Sequence, residues 1–271
     1  MPEAPEVERI RRELSSLVGL PVAAVHAADP KLILPPSSPL GRVLVDDHRH
    51  GKRLGLEFSD CVLLCCRLGL TGRLSDECAS EHLWVTDRRS LSDASFGVDL
   101  LDASEAEFRA AASTSTRHRR AVKALMLDQR GPIAAAGNYL IDEACFTARV
   151  HPATSADLLD APASLHLWSA CRDLARRSAV GRPASLSEYI APAGAVGRCP
   201  GQLRCYERAG WPCTECQTTL ARTRIRGRGT AYCPRCQPRP AAPEAVAPLS
   251  ERHSCPPGTS HTTNERARLR P

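Results

Sequence analysis

The sequence predicts an α+β protein of two domains, with an N-terminal helix and a β-sandwich or barrel followed by a helical region and a four-cysteine zinc ribbon. Three observations lead to this prediction: a helical pattern at the N-terminus, short β-type runs after it, and an alanine-rich helical pattern that precedes paired CxxC motifs. The 271 residues suffice for one large or two modest cores. A hydrophobic share of 42% excludes fibrous, collagen-like and wholly disordered classes.

The first predicted helix spans residues 2–18. Pro2 and Pro5 suit its first turn, glutamates near its start favour the helix dipole, and Gly19 ends it.

Short apolar runs broken by Gly, Pro and Asp occupy residues 22–101 and indicate strands of a sandwich or barrel. The pattern becomes helical after Asp102 and stays so to about Arg177. Within it, the polar segment 113–119 fits a hinge. The residues after Gln237 hold many prolines and no periodicity, so a disordered tail is expected.

Positive charge is concentrated near the C-terminus. Residues 198–239 contain nine arginines and two glutamates, whereas residues 1–197 contain 23 basic and 25 acidic residues. Such a patch suits a polyanion because neutralised phosphates release counterions. A solvated basic surface is the alternative. Lysine is rare, with only Lys31, Lys52 and Lys123 in the chain.

The cysteine pattern indicates a metal site. Of the 13 cysteines, Cys213, Cys216, Cys233 and Cys236 form two CxxC motifs separated by sixteen residues. This spacing matches a tetrahedral four-thiolate zinc site, which is structural because no coordination position stays open. Coincidental buried cysteines are the alternative. Without an export signal or an apolar run of ~18 residues, we expect a cytoplasmic protein that does not enter a membrane.

Six segments in order resemble one enzyme family. They are MPEAPEVE at the N-terminus, His50-Gly-Lys52-Arg-Leu54, Leu68-Gly-Leu-Thr-Gly-Arg-Leu74, Lys123-Ala-Leu-Met-Leu-Asp-Gln129, Gly137-Asn138 with Asp142-Glu143-Ala144, and Gly229-Thr230 through Gln237. Together they resemble the formamidopyrimidine-DNA glycosylases, the Fpg/Nei family of base-excision repair enzymes.

The resemblance implies a particular organisation and activity. A catalytic β-sandwich domain would span 1–112, a helix–two-turn–helix domain 113–200, a zinc finger 201–237 and the tail 238–271. The protein would bind damaged double-stranded DNA as a nucleoid-associated monomer with one structural Zn²⁺. It would excise formamidopyrimidine, 8-oxoguanine and oxidised pyrimidines, then nick the abasic strand by β,δ-elimination.

Four residues are candidates for the chemistry. If the initiator Met is removed, the secondary amine of Pro2 can attack the sugar C1′, because α-amino groups titrate near ~8. Glu3 is placed to act as general acid and base, although helix capping is the alternative for both residues. By resemblance, Lys52 would donate a proton in β-elimination. Arg228 would grip the phosphate beside the lesion and assist δ-elimination. A solvated loop lysine is the alternative for Lys52.

The resemblance also places seven residues at DNA-contacting positions: Glu6, Leu70, His82, Phe96, Arg119, Lys123 and Asn138. Glu6 would line the damaged-base pocket, and Leu70 and Phe96 would fill the gap left by the extruded nucleotide. His82 would contact DNA. Arg119, Lys123 and Asn138 would hold the DNA backbone. An exposed helix face is the alternative for Arg119 and Lys123.

The sequence departs from the family pattern at three sites. Asp93-Ala-Ser-Phe96-Gly97 replaces DPRRFG, so the arginine that reads the orphan base is missing. Ala135-Ala-Gly-Asn138 replaces GIGN, and Tyr206-Glu-Arg208 replaces YGR, which predicts weaker DNA binding. Two alternative interpretations therefore stay open. The protein could be a non-enzymatic relative that binds lesions, or an unrelated zinc-ribbon protein that acts in transcription or translation.

Overall fold

A computed structural model describes residues 3–24, 38–67, 82–86, 96–180 and 203–239. The chain divides into two units, Met1–Pro240 and Ala241–Pro271, and all described residues belong to the first. Helices and sheets are both present, so the predicted α+β class is confirmed. Pro2, Leu70 and nearly all of the predicted tail lie outside the described residues. No helix in the described part of the chain is long and apolar enough to cross a membrane.

The predicted N-terminal helix is present as α1, Ala4–Leu14, with a 3-10 turn over Ser15–Leu17. Glu3 is its N-cap residue, and the Glu3 backbone N–H donates to the Glu6 carboxylate at 2.8 Å. This bond satisfies one of the amides that a helix start leaves without a partner. Gly19, at φ +92°, follows the helix in a left-handed conformation that glycine adopts easily.

The N-terminal strands form a four-stranded antiparallel sheet in the order β1-β2-β3-β4. Their bounds are β1 Leu44–His50, β2 Arg53–Phe58, β3 Val62–Arg67 and β4 His82–Thr86. The apolar face of α1 packs on this sheet in one buried cluster, in which Val7 and Ile10 meet Leu54. His50 pairs with Arg53, so residues 51–52 form a two-residue hairpin turn.

The central region is mostly helical, as predicted. Its helices are α2 Glu105–Thr114, α3 Val122–Met126, α4 Asn138–Thr147 and α5 Ala161–Val180, with 3-10 turns at Ser115–Arg117 and Ala156–Leu158. A further 3-10 turn, Ser59–Cys61, joins β2 to β3 in the N-terminal sheet. The strands β5 Val98–Asp99 and β6 Ile133–Ala134 pair in parallel, and both contact α2. Helix α4 lies inside the main apolar cluster and is buried along almost its whole length.

The segment 113–119, expected as a hinge, forms the end of α2 and the following 3-10 turn. Its hydroxyl groups bond to the helix itself, as Thr114 Oγ1 does to the Ala111 carbonyl at 2.8 Å. Ser115 is buried and accepts a hydrogen bond from Trp168 Nε1 at 2.9 Å. Polar composition suggested a hinge here, but short hydroxyl side chains can satisfy helix carbonyls instead.

The C-terminal finger contains the hairpin of β7 Ala221–Ile225 and β8 Arg228–Tyr232. Side chains alternate along β7, and Arg222 and Arg224 are exposed, so one face of this strand is basic. The turn residues are Arg226 and Gly227, at φ +49° and +73°. Two positive φ angles match the twist of the flanking strands, so Arg228 becomes the first residue of β8.

Candidate active site

The carboxylate of Glu3 lies at the N-terminus of α4. Its two oxygens accept hydrogen bonds from the backbone N–H groups of Tyr139 at 3.0 Å and Leu140 at 3.4 Å. Gly137 makes room for it, because a Cβ at that position would lie 2.0 Å from the Glu3 carboxyl carbon. Burial raises the pKa of Glu3 to about 7, and Glu6 adds to the rise, whereas Lys52 and the two amides oppose it. The carboxyl is therefore poised between its two protonation states near neutral pH.

Glu6 connects α1 to the start of α4, next to the Glu3 carboxylate. One of its oxygens accepts the Glu3 N–H, and the other accepts the Tyr139 hydroxyl at 3.1 Å. Burial and the neighbouring Glu6 and Glu3 raise the pKa of Tyr139, so its hydroxyl stays a donor. Nothing in the sequence pointed to Tyr139, because its partners lie more than a hundred residues away in the chain.

Lys52 lies on the turn between β1 and β2 and is partly buried. Burial lowers its pKa, Glu3 and Glu6 act against that shift, and Arg228 adds to it. The charges of Glu3, Glu6 and Arg228 thus all act on one ammonium group. A lysine with a lowered pKa exchanges protons more readily near neutral pH than a solvated lysine does.

The finger hairpin that carries Arg228 is bonded to two helices. The carbonyl of Gly229 accepts hydrogen bonds from Lys123 Nζ at 3.0 Å and Asn138 Nδ2 at 3.1 Å. The Ala231 N–H donates to Asp142 at 3.1 Å. The Arg228 side chain itself is exposed. Backbone bonds on its C-terminal side therefore fix the position of Arg228 relative to α3 and α4.

Lys123 does not lie on an exposed helix face, and that alternative is wrong. Its side chain is 0% exposed, and its ammonium forms an ion pair with Asp142 at 2.5 Å. Burial raises the pKa of Asp142 to about 6, and Lys123 opposes the rise. A buried ammonium needs several hydrogen-bond acceptors, and here Asp142 and the Gly229 carbonyl provide them. Contact of Lys123 with the DNA backbone stays a prediction.

The other predicted DNA-contacting residues lie in different settings. Arg119 precedes α3, is 91% exposed, and lies 3.4 Å from Asp157. Phe96 is partly buried, with the guanidinium carbon of Arg53 4.1 Å from its ring centroid. His82 begins β4, although its side chain lies outside the described residues.

The four predicted zinc ligands come together in the finger. The Sγ–Sγ distances are 3.9 Å for Cys213–Cys236, and 3.5 Å for both Cys216–Cys233 and Cys216–Cys236. Zinc–sulfur bonds of ~2.3 Å in a tetrahedron require edges of ~3.8 Å, so the cluster fits one Zn²⁺. Within each CxxC motif, a backbone N–H donates to the first thiolate at 3.4 and 3.3 Å. The finger is therefore a structural zinc site.

Glu143 is a structural residue that the sequence interpretation missed. It is buried on α4 and accepts hydrogen bonds from the backbone N–H groups of Cys205 and Tyr206, each at 2.7 Å, and of Arg204 at 3.0 Å. It thereby joins α4 to the segment that leads into the finger. The signal was present, because two acidic residues in an otherwise apolar helix require buried partners.

The fold and site define a protein of three parts: an N-terminal helix-and-sheet domain, a helical domain, and a zinc finger bonded to the helical domain. Family models match each part. The formamidopyrimidine-DNA glycosylase N-terminal domain matches residues 1–127, the family's H2TH domain matches residues 97–186, and a zinc finger found in FPG and IleRS matches residues 210–239.

Curated and solved relatives agree with these matches. The formamidopyrimidine-DNA glycosylase of Shouchella clausii is 32% identical, over 89% of this chain and all of the relative. The solved MutM (Fpg) protein of Thermus thermophilus is 30% identical, with a TM-score of 0.70 over 88% of this chain and 99% of that chain. A Lactococcus lactis Fpg in complex with Fapy-dG-containing DNA is 22% identical, with a TM-score of 0.70 over 88% and 100%, and shows the shared fold. The chain belongs to the formamidopyrimidine-DNA glycosylase family.

Proposed function

We propose that this protein is a base-excision repair enzyme that removes oxidised bases from double-stranded DNA and then cleaves the abasic strand. The observation that carries the proposal is the buried Glu3 carboxyl, held by two backbone amides of α4, together with the charges of Glu3, Glu6 and Arg228 that act on Lys52. These residues come from α1, the β1–β2 turn and the zinc finger. A proton-transfer group, a lysine and a phosphate-binding arginine are the groups that excision and elimination require.

Base excision would start with the amine of Pro2. Its lone pair forms a bond to the sugar C1′ while the bond between C1′ and the damaged base breaks, and the base leaves with a proton. Glu3 directly follows Pro2, and a pKa of about 7 lets its carboxyl both give and accept protons at neutral pH. The Pro2 nitrogen gives up its proton, and the C1′–O4′ bond then breaks as Glu3 donates a proton to O4′. The product is an iminium ion between the enzyme and the ring-opened sugar.

Strand cleavage would follow from that iminium ion. It acidifies the C2′ hydrogen, and loss of this proton expels the 3′ phosphate by β-elimination. Lys52 would move the proton, and a second elimination would expel the 5′ phosphate held by Arg228. The guanidinium suits this task because it stays charged and binds phosphate through two N–H groups.

The basic face of the finger would bind the damaged duplex, with Arg222 and Arg224 exposed along β7. Leu70 and Phe96 would fill the space of the extruded nucleotide, and Glu6 would line its pocket. Arg119, Lys123 and Asn138 would hold the DNA backbone, and His82 would contact DNA. The substrates would be formamidopyrimidine, 8-oxoguanine and oxidised pyrimidines, and the enzyme would act as a monomer on bacterial nucleoid DNA.

Borohydride trapping tests the proposal. The protein is incubated with duplexes that contain one oxidised base or one abasic site, and the iminium is reduced to a stable adduct. We expect an adduct with the wild type and none with Pro2→Gly. Mass spectrometry checks that the N-terminal proline is free. Binding of lesion DNA without any adduct, despite a free proline, would instead identify a non-enzymatic relative.

A further inference from the structure

A buried arginine lies directly behind the turn that carries Lys52. The Arg49 side chain is 1% exposed and bonds to three carboxylates. It contacts Asp99 through two N–H groups, at 2.8 and 2.9 Å, Glu8 at 3.1 Å and Asp102 at 2.5 Å. Two-point arginine–carboxylate contacts restrict direction as well as distance.

The same ion pair holds both backbone polar groups of Gly51. The Gly51 N–H donates to Asp99 at 2.6 Å, and the Gly51 carbonyl accepts from Arg49 Nη1 at 2.9 Å. The carbonyl belongs to the peptide group that leads directly to the Lys52 Cα. Gly51 itself adopts φ +60°, which lets the chain turn at this point. The backbone at Lys52 therefore cannot shift without breaking bonds to a buried ion pair.

The Arg49 group also reaches the helix that begins beside Pro2. Glu8 lies on α1, one turn and a half after Glu3, and bonds to Arg49. Asp99 lies on β5 and additionally accepts the N–H groups of Leu101 and Asp102, at 2.9 and 3.2 Å. One guanidinium thus connects α1, the β1–β2 turn and the segment that leads into α2.

We propose that Arg49 and Asp99 are positioning residues that hold Lys52 at a set place relative to the N-terminus of α1. This inference rests on the proposed role of Lys52 in strand cleavage. An ion pair is suited to the task because removal of one partner leaves a buried charge, so small displacements are resisted strongly. Displacement of a reacting group by about 1 Å can cost a factor of about 100 in rate.

Asp99→Asn tests the proposal, since it removes the charge of Asp99 and keeps its shape. Single-turnover reactions on a duplex with one abasic site give two rates for each variant: formation of the borohydride-trapped adduct, which reports Pro2, and strand cleavage, which reports Lys52. For Asp99→Asn we expect adduct formation within twofold of the wild type and cleavage about 10- to 100-fold slower. A general loss of folded protein would lower both rates together.

Asp47→Asn is the matched control. Asp47 forms an ion pair with Arg11 at 2.5 Å and likewise joins α1 to β1, yet neither residue bonds to the 51–52 turn in the described structure. We expect both rates of this variant to stay within twofold of the wild type. If Asp99→Asn does not fold, as judged by circular dichroism, Gly51→Ala displaces the same turn through its positive φ and should slow cleavage selectively.

Two results would overturn the inference: cleavage by Asp99→Asn at the wild-type rate, or equal losses in adduct formation and cleavage. Where Gly51→Ala is used instead, cleavage by that variant at the wild-type rate would also overturn the inference. Failure of the proposed function looks different, because then the wild type forms no adduct, or Lys52→Ala cleaves as fast as the wild type.

Discussion

At the scale of single residues, Glu3 combines two opposed influences. Burial makes its charged form costly, whereas the amides of Tyr139 and Leu140 and the Lys52 ammonium stabilise that form. Burial dominates, so the carboxyl takes up protons well above the usual pH range of a glutamate. The folded protein therefore binds one more proton at this site than the unfolded chain does between the two pKa values.

This shift predicts how stability depends on pH. Between pH 4.5 and 8 the wild type should lose about 3 kcal/mol of unfolding free energy relative to Glu3→Gln, because the native state must give up a proton from a site where the charge is costly. Urea unfolding of both proteins at several pH values measures the difference. A constant difference across this range would contradict the prediction.

Glu107 provides a control of opposite sign. Its hydrogen bonds with Ser104 hold the pKa of the Glu107 carboxyl below its ordinary value. The stabilisation by Glu107 is thus present above the unfolded pKa and lost on acidification. Relative to Glu107→Gln, the wild type should therefore gain stability as pH rises through ~4.

Gly137 gives a second prediction at this scale. In Gly137→Ala the new methyl group would overlap the Glu3 carboxyl, so either Glu3 or the start of α4 must move. We expect adduct formation on oxidised-base duplexes to fall by about 100-fold or more. Gly210→Ala is the control, since its cost is a strained positive φ with no atom within 4 Å. Near-normal adduct formation by Gly137→Ala would show that the placement of Glu3 is not needed.

At the scale of elements, helix α4 connects the separate parts of the site. Its N-terminal amides receive Glu3 from α1, and its buried Asp142 and Glu143 bond to the finger hairpin and to the segment before it. Helix stability here comes from tertiary packing and from these charged contacts, because buried acidic residues do not favour a helix by themselves.

Two turns near α4 contain a strained residue where the family pattern has glycine. Ala135 adopts φ +83° and Glu207 adopts φ +57°. We expect Ala135→Gly and Glu207→Gly each to raise the unfolding free energy by about 0.5 kcal/mol, because relief of left-handed strain exceeds the added flexibility of the unfolded chain. Ala136→Gly, without positive φ, should instead cost about 1 kcal/mol. Thermal unfolding measures all three, and destabilisation by both glycine substitutions at positive φ would contradict this account.

At the scale of the whole molecule, we expect zinc to keep the finger hairpin that carries Arg228 folded. Removal of zinc with a chelator should release the hairpin, weaken binding of lesion DNA by about tenfold or more, and slow strand cleavage. Fluorescence anisotropy at fixed salt measures the binding, and added Zn²⁺ should restore it. Unchanged binding after confirmed metal loss would contradict the role of the finger.

Cys213→Ser and Cys145→Ser form a matched pair for the same question. Both cysteines are fully buried, but only Cys213 belongs to the four-sulfur cluster. We expect zinc loss and weak DNA binding for the Cys213 variant alone. Metal analysis of the two purified proteins provides the comparison.

The sequence alone determined the features that are encoded locally. The CxxC spacing alone identifies four cysteines as the ligands of one zinc ion, because each motif brings two thiolates to the same ion. The start of α1 and the alternation of β7 likewise follow from residues that are neighbours in the chain. The ordered family-like segments identified the family before any contact was known.

Features that depend on partners far apart in the chain emerge only from the three-dimensional fold. Lys123 looks like a surface lysine in sequence, yet Asp142 and Gly229 bury it. Arg49 becomes a positioning residue only because β5 brings Asp99 to it. The positive φ of Ala135 likewise could not be predicted from the sequence. The physical reason is common to all three: burial, charge pairing and backbone strain depend on which residues the fold brings into contact, and local spacing does not record those contacts.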